Sequence, residues 1–330
     1  MPGETAITRT WNDIVSHTRD RISPLMADNI SSRIPYLVML NAMGRKELRD
    51  GGNQIHFNVF KELGIAEGYT DMDVVQTTRT THTTRAIAEW KQFQSPVTIS
   101  GREMAINSGE AAIKSILKTR IEGAVISLAN SIGGSTFGLF SSNTESTLTS
   151  LTGLQALISF TPTSGTVHNI SRANGFWQNQ ADAVATNWST DGLASMRNLW
   201  TLCSYASDVP DLIVFNRSYF NNYETSLTAT LNYNLPSAQQ NWVLDLGIPN
   251  VMNFKGAPII YDDGVPANRG YFINSKYLRW IVHQDRDFEL GEFVVPTDVD
   301  ALQAHIWLMA EQCCDGMRYQ GLLSGGDTYS

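Results

Sequence analysis

Two short clusters hold the side chains best suited to chemistry. Asp262-Asp263 offers adjacent carboxylates, and His283-Gln284-Asp285-Arg286-Asp287 offers an imidazole followed by two more at alternate positions. Oxygen and imidazole donors at that density could hold a divalent cation, which would polarise a carbonyl or activate a water. The structural alternative is simpler. Asp262-Asp263-Gly264 has turn chemistry, while His283, Asp285 and Asp287 alternate along an expected strand beside Arg279 and Arg286, an arrangement suited to ion pairs at a subunit boundary. No motif supports catalysis: the chain lacks Gly-x-Ser-x-Gly, Gly-x-x-x-x-Gly-Lys, Cys-x-x-Cys and His-Glu-x-x-His. Cys203, Cys313 and Cys314 are odd in number with one adjacent pair, so they form no disulfide framework and read as small core hydrophobes of a reducing compartment. The expectation is a protein that is not an enzyme and needs no cofactor or metal.

The elements that must position these clusters form a mixed α/β unit. After a Gly/Ser/Thr-rich connection at Ser141 to Thr152, periodicity predicts a helix from Asp191 to Ala206, a buried strand at Pro210 to Phe215 and a helix near Tyr219 to Leu227. Strands are expected at Ala257 to Tyr261, Gly270 to Ile273, Leu278 to Val282 and Ala304 to Met309.

The first half of the chain is organised differently. Beyond Gly51-Gly52, Ile55, Phe57 and Val59 alternate with polar residues, and Val74 to Ile99 is almost continuously β-branched or polar, with Pro96 tolerable only at an edge or bulge. Two limbs of about twenty residues at ~3.3 Å each would reach roughly 60 Å, and an isolated two-stranded ribbon of that kind is marginal in water. Its missing partner is expected to be another subunit. A long amphipathic helix follows, with Ile113, Ile116, Leu117, Ile121, Ala124, Val125, Leu128 and Ile132 at three- and four-residue spacing, capped by Asn107 and ending at Gly133-Gly134. Upstream, Trp11 to Ala27 reads as a helix with Thr10 as N-cap, and Asp28 to Asp50 as a connection draped over something rather than a domain core.

Composition sets outer bounds. The 330 residues are 42% hydrophobic and 17% charged, enough to bury a real core in two compact units. No run approaches the ~20 apolar residues of a membrane span, and the first residues lack a secretion signal, so membrane partners are not expected. The net charge of −8 argues against a surface built to grip phosphate.

Several strings, in order along most of the chain, resemble tailed-bacteriophage major capsid proteins of the HK97-like fold. They are Trp11-Asn12-Asp13-Ile14-Val15, Ala27-Asp28-Asn29-Ile30, Gly51-Gly52-Asn53-Gln54-Ile55, Glu89-Trp90-Lys91-Gln92-Phe93 and Val97-Thr98-Ile99-Ser100-Gly101. Further on come Asn107-Ser108-Gly109, Gly153-Leu154-Gln155-Ala156-Leu157, Pro210-Asp211-Leu212-Ile213, Phe254-Lys255-Gly256-Ala257-Pro258 and Phe272-Ile273-Asn274-Ser275-Lys276-Tyr277-Leu278. The resemblance implies an α+β fold: N-arm at 1–50, an extended β-hairpin E-loop at 51–99, a P-domain with a long spine helix at 100–150 and a mixed α/β A-domain at 151–274. Residues 275–330 would complete the P-domain sheet and return to the A-domain.

The implied function is a structural one, a subunit that self-assembles as pentamers and hexamers into an icosahedral shell enclosing double-stranded DNA. Implied partners are the chain itself, a separate scaffolding protein, a portal protein at one vertex, a possible decoration protein and nonspecific contact with packaged DNA through residues such as Arg9, Arg19, Arg21, Lys114 and Lys118. The implied location is the virion capsid, assembled in the host cytoplasm. Subunit contacts are expected at Trp11, Ile55, Phe57, Lys61, Trp90, Lys91, Arg279, His283, Asp285, Arg286 and Asp287, with Ile55, Phe57 and Trp90 gaining burial only on assembly. Some relatives join Lys to Asn by a self-catalysed isopeptide bond; Lys61 and Lys91 are the lysines on the expected arm, and nothing in the sequence sets either against an Asn and an acid. An encapsulin-like compartment, usually with a shorter E-loop, is the alternative shell, and a metal-dependent enzyme the third reading.

Overall fold

The computed structural model describes residues 34–64, 66–74, 80–106, 110–133, 138–140, 149–228 and 252–326. The expected first helix with Trp11, the cap Asn107, and Arg9, Arg19 and Arg21 lie outside them, as does the side chain of Lys114.

Helix α1 (Pro35–Ala42) starts on a proline, whose fixed φ suits a first helical position. It buries Tyr36, Leu37, Met39 and Leu40 in the main core. The segment expected to drape over something is therefore part of a core. A short strand, β1 (Lys46–Arg49), leads through Gly51 and Gly52, both at positive φ, into a hairpin of β2 (Ile55–Phe60) and β3 (Thr83–Ala88). The hairpin register runs from Ile55 opposite Ala88 to Phe60 opposite Thr83.

The return limb differs from its expectation. What reads as one strand from Val74 to Ile99 is β3 and a separate strand, β4 (Lys91–Ser100), with the chain turning at Glu89-Trp90. Strand β4 leaves the hairpin and pairs for its whole length with β14 (Ala301–Cys314), from Ser100 opposite Ala301 to Lys91 opposite Ala310. Strand β14 is also longer than the expected Ala304–Met309. Its far half pairs with β12 (Leu278–His283), which carries β1 in parallel on its other side, and β13 (Glu289–Leu290) completes the five-stranded sheet. Strand β4 pairs only with β14 among the described residues, and Pro96 sits at its middle, as an edge strand allows.

A short helix, α2 (Gly101–Ile106), precedes the long α3 (Glu110–Gly133), whose 24 residues match the expected spine. At 1.5 Å per residue it spans about 36 Å. Strand β4 alternates buried and exposed along all its residues, and Phe93, Val97 and Ile99 meet Leu117, Ile121, Ala124 and Leu128 in the main core. Two periodicities, two in the strand and 3.6 in the helix, thus close one interface.

Beyond a small antiparallel pair, β5 (Thr166–Val167) and β6 (Ile170–Ser171), the second sheet has six strands. In spatial order these are β7 (Gln180–Val184), β15 (Gly321–Gly325), β11 (Arg269–Ile273), β8 (Leu212–Phe215), β10 (Ala257–Tyr261) and β9 (Met252–Phe254). Strand β8 is buried on both faces: Leu212 and Val214 face the main core, while Ile213 and Phe215 face a second, aromatic core with Trp188, Trp200, Tyr219 and Tyr223. That core is covered by helices Leu193–Cys203 and Arg217–Thr228, close to the two helices expected there. The two layers meet at Gly264, where an added Cβ would lie 2.1 Å from the Gly133 carbonyl oxygen. Only glycine fits between the end of the spine helix and the second sheet.

Candidate assembly surface

The hairpin has a root and a tip with different chemistry. At the root, Ile55, Ala88 and Trp90 are buried against Ile281 of β12 and Cys313 of β14, on the sheet face opposite the spine helix. The Trp90 indole Nε1–H donates to the Gly52 carbonyl at 3.0 Å, and its ring meets the edge of His283 at 5.6 Å. Phe57 lies half-buried, edge-on to His168 at 5.3 Å, and the Ile87 N–H donates to the His168 carbonyl. Ile55 and Trp90 are thus buried within one chain; their burial does not wait for assembly. The hydrophobic anchors that sequence alone assigned to a neighbour are satisfied by β12 and β14.

The tip carries apolar residues in the open. Phe60 is 66% exposed and Leu63 78%, and Tyr69, Met72 and Val74 are exposed as well. Glu62, Glu67, Asp71 and Asp73 lie among them, with Lys61 exposed at the base, its N–H donating to the His82 carbonyl. Sequence reasoning passed over these apolar side chains because they lack any period. Their signal is the contrast: large hydrophobes scattered in an acidic, Gly-containing stretch that no strand or helix pattern absorbs.

Lys91 is not on the arm surface. It opens β4, fully buried, with its Nζ 4.0 Å from Glu311 Oε2, and Glu311 is fully buried too. Glu311 Oε1 accepts the N–H groups of Thr152 at 2.9 Å and Gln312 at 2.8 Å, and burial pushes its carboxyl up to about 8. Burial removes Lys91 from reach of any neighbouring subunit, so it neither lines an interface nor offers an intersubunit cross-link. The acid was missed because a glutamate within a run of apolar strand residues reads as the end of the strand.

The two clusters singled out for metal chemistry come apart. Strand β12 stops at His283, and Gln284–Arg286 form a 3₁₀ turn, so the expected alternation of His283, Asp285 and Asp287 along one strand does not occur. His283 faces Trp90 and accepts the Asp285 N–H at its Nδ1; Asp287 pairs with Lys46 at 2.5 Å. The Arg286 guanidinium lies 5.4 Å over Trp307 and donates to Gln92. Arg279 bonds Asp315 and lies 3.7 Å from Glu47. Asp262 is buried, accepting the N–H groups of Tyr36 and Gly264, and burial raises its carboxyl to about 6. Asp263 instead pairs with Arg217 at the surface. Among the described residues no group of three or more His, Cys, Asp or Glu side chains is placed to hold a metal. Nor is any described helix long and apolar enough to cross a membrane.

No protein-family model matches the chain, and no curated protein matches it. Solved structures do. The cyanophage A-1(L) capsid asymmetric unit superposes with a TM-score of 0.59 at 15% identity, covering 89% of this chain and 94% of that one. The chain has the phage capsid fold. A structure from Mycobacterium phage Ogopogo (TM-score 0.54, 12% identity, 87% and 91% covered) and the capsid of the native GTA particle (0.54, 12%, 87% and 90%) share it. The likeness extends over nearly the full length of both chains and agrees with the α+β, HK97-like architecture expected from the sequence strings. At such identities the fold persists while the side chains differ, so contacts must be argued from this chain's own residues.

Proposed function

We propose that this chain is the major capsid protein of a tailed double-stranded DNA phage, a structural subunit without enzymatic activity that assembles as pentamers and hexamers into an icosahedral shell. The observation that carries the reading, beside the fold, is the hairpin tip. Exposed Phe60, Leu63, Tyr69, Met72 and Val74 project beyond a root that is already satisfied. Each such side chain contributes roughly 1.5 to 3 kcal/mol if fully desolvated, so a tip of this composition calls for a second surface. In a shell that surface belongs to a neighbouring copy, and symmetry repeats the contact until the lattice closes.

In this reading the N-arm occupies 1–50 and ends in β1, which joins the P-domain sheet; the E-loop is the hairpin from Gly51 to Trp90, and α3 with the five-stranded sheet forms the P-domain. The six-stranded sheet forms the A-domain. Strand β4, placed with the E-loop on sequence grounds, belongs to the P-domain sheet. Lys61, Asp285 and Arg286 are exposed and remain candidates for subunit contacts, with Phe57, Arg279, His283 and Asp287 half-buried beside them. Lys118, exposed on the spine helix and 3.8 Å from Glu122, is the described basic residue proposed to face DNA. A separate scaffolding protein, a portal at one vertex, a decoration protein and the packaged DNA complete the proposed partners, with assembly in the host cytoplasm.

Negative-stain electron microscopy with light-scattering mass tests the reading on the protein expressed alone and with a scaffolding partner. Rings or closed icosahedral particles are expected. A stable monomer at every concentration overturns it, and closed particles filled with protein instead of nucleic acid would favour an encapsulin-like compartment.

A further inference from the structure

The Lys91–Glu311 pair sits where three parts of the chain meet. Lys91 directly follows the hairpin root at Trp90, Glu311 lies in β14 one residue past the point where β4 pairing ends, and Thr152 begins the run toward the second sheet. Beyond Ala310 no described strand pairs on the β4 side of β14, and the Glu311 carboxyl accepts the Thr152 N–H there. Stability alone is a poor reason for the arrangement. A buried charge pair contributes little or nothing net against apolar residues of similar volume, because desolvation offsets the attraction. At 4.0 Å the two charged atoms are also beyond close hydrogen-bond contact.

We propose that the Lys91–Glu311 pair is a direction lock for the hairpin, holding its root in a single orientation on the sheet at no gain in stability. The apolar cluster of Ile55, Ala88, Trp90, Ile281 and Cys313 is non-directional and would accept the root in several orientations. Two polar groups this deep tolerate only the arrangement that keeps each in reach of the other, the Glu311 carboxyl becoming a full counter-charge above about 8. The lock acts within one chain and stands or falls independently of the shell reading.

The test separates direction from stability with the double variant Lys91→Met, Glu311→Gln, which removes both charges while the glutamine oxygen can still accept the Thr152 N–H. Spin labels at Glu62→Cys and Thr201→Cys, both exposed, report the distance from hairpin to second sheet; the native cysteines are buried and escape labelling. Expected is a narrow distance distribution in the parent, and a broad or two-component one in the double variant at an equal or higher thermal midpoint. An equally narrow distribution in the variant overturns the lock, as does a broad one in the parent. Broadening with a lowered midpoint also overturns it, since the pair would then be an ordinary stabilising contact.

Discussion

The root and the tip of one hairpin obey opposite rules. Root side chains from Ile55 to Trp90 find partners in strands of the last third of the chain, while the tip from Phe60 to Val74 exposes large hydrophobes. An ordinary surface loop shows the reverse, polar outside and apolar only where it rejoins the core. The difference separates two kinds of information in one segment. The root is specified by this chain's own core, whereas the tip finds no such cover among the described residues.

The largest effect should come from removing the tip alone. Replacing Lys61–His82 by a short turn keeps the β2–β3 register, and is expected to leave a folded chain that forms no closed particles by electron microscopy. Normal shells from this variant would erase the distinction. Next comes the root. Lys91→Ala strands Glu311 in the core and should cost about 3 to 5 kcal/mol by denaturant titration, and Ile55→Ala about 2 to 4 kcal/mol by lost burial and a cavity. Substitution at the tip should behave otherwise: Leu63→Asp is expected to shift chain stability by less than about 0.5 kcal/mol yet lower particle yield. A large loss of stability at Leu63 would show that the tip is anchored after all.

A pH-dependent effect tests a buried carboxyl group remote from both. Burial raises Asp262 to about 6 in the folded chain, above its ordinary value, so the folded state binds the proton more tightly than the unfolded one. Its contribution to stability is then full below pH ~4 and lost as pH rises through about 6. Asp262→Asn carries no such dependence. Relative to the parent it should gain about 1 to 2 kcal/mol between pH 4 and 7, measured by thermal or urea unfolding at both values.

Much of the fold was legible because periodicity is a local signal. The spine helix announced itself through Ile116, Leu117, Ile121 and Leu128, and the strands around Ile213, Ile259, Phe272 and Ile281 through short apolar runs bounded by turns. What failed was non-local. The β-branched and polar run from Val74 to Ile99 was read as one strand, and the shift of its apolar positions from even to odd numbers after Trp90, where β3 and β4 part, went unread. The His283-to-Asp287 alternation was a coincidence of composition in a turn. Helix α1 was hidden by Pro35 and its shortness. For the site, the apolar root residues were rightly picked as anchors and wrongly assigned a partner, since a period shows that a face is buried and never by what. Lys91 was misread because a lone charge is ordinarily at the surface, and Glu311 was not read at all. The strings shared with capsid proteins carried the architecture further than any pattern did.

Pro96 has one more consequence. Strand β4 is ten residues long, regular, and open along one side among the described residues, the form of strand that templates the addition of a foreign one. A proline midway offers no N–H, so a strand laid along that side meets an interruption at its centre. In the proposed shell, that interruption would separate ordered association through shaped surfaces from runaway stacking through bare backbone. One missing hydrogen atom per chain would then favour a lattice that closes over a fibre that does not.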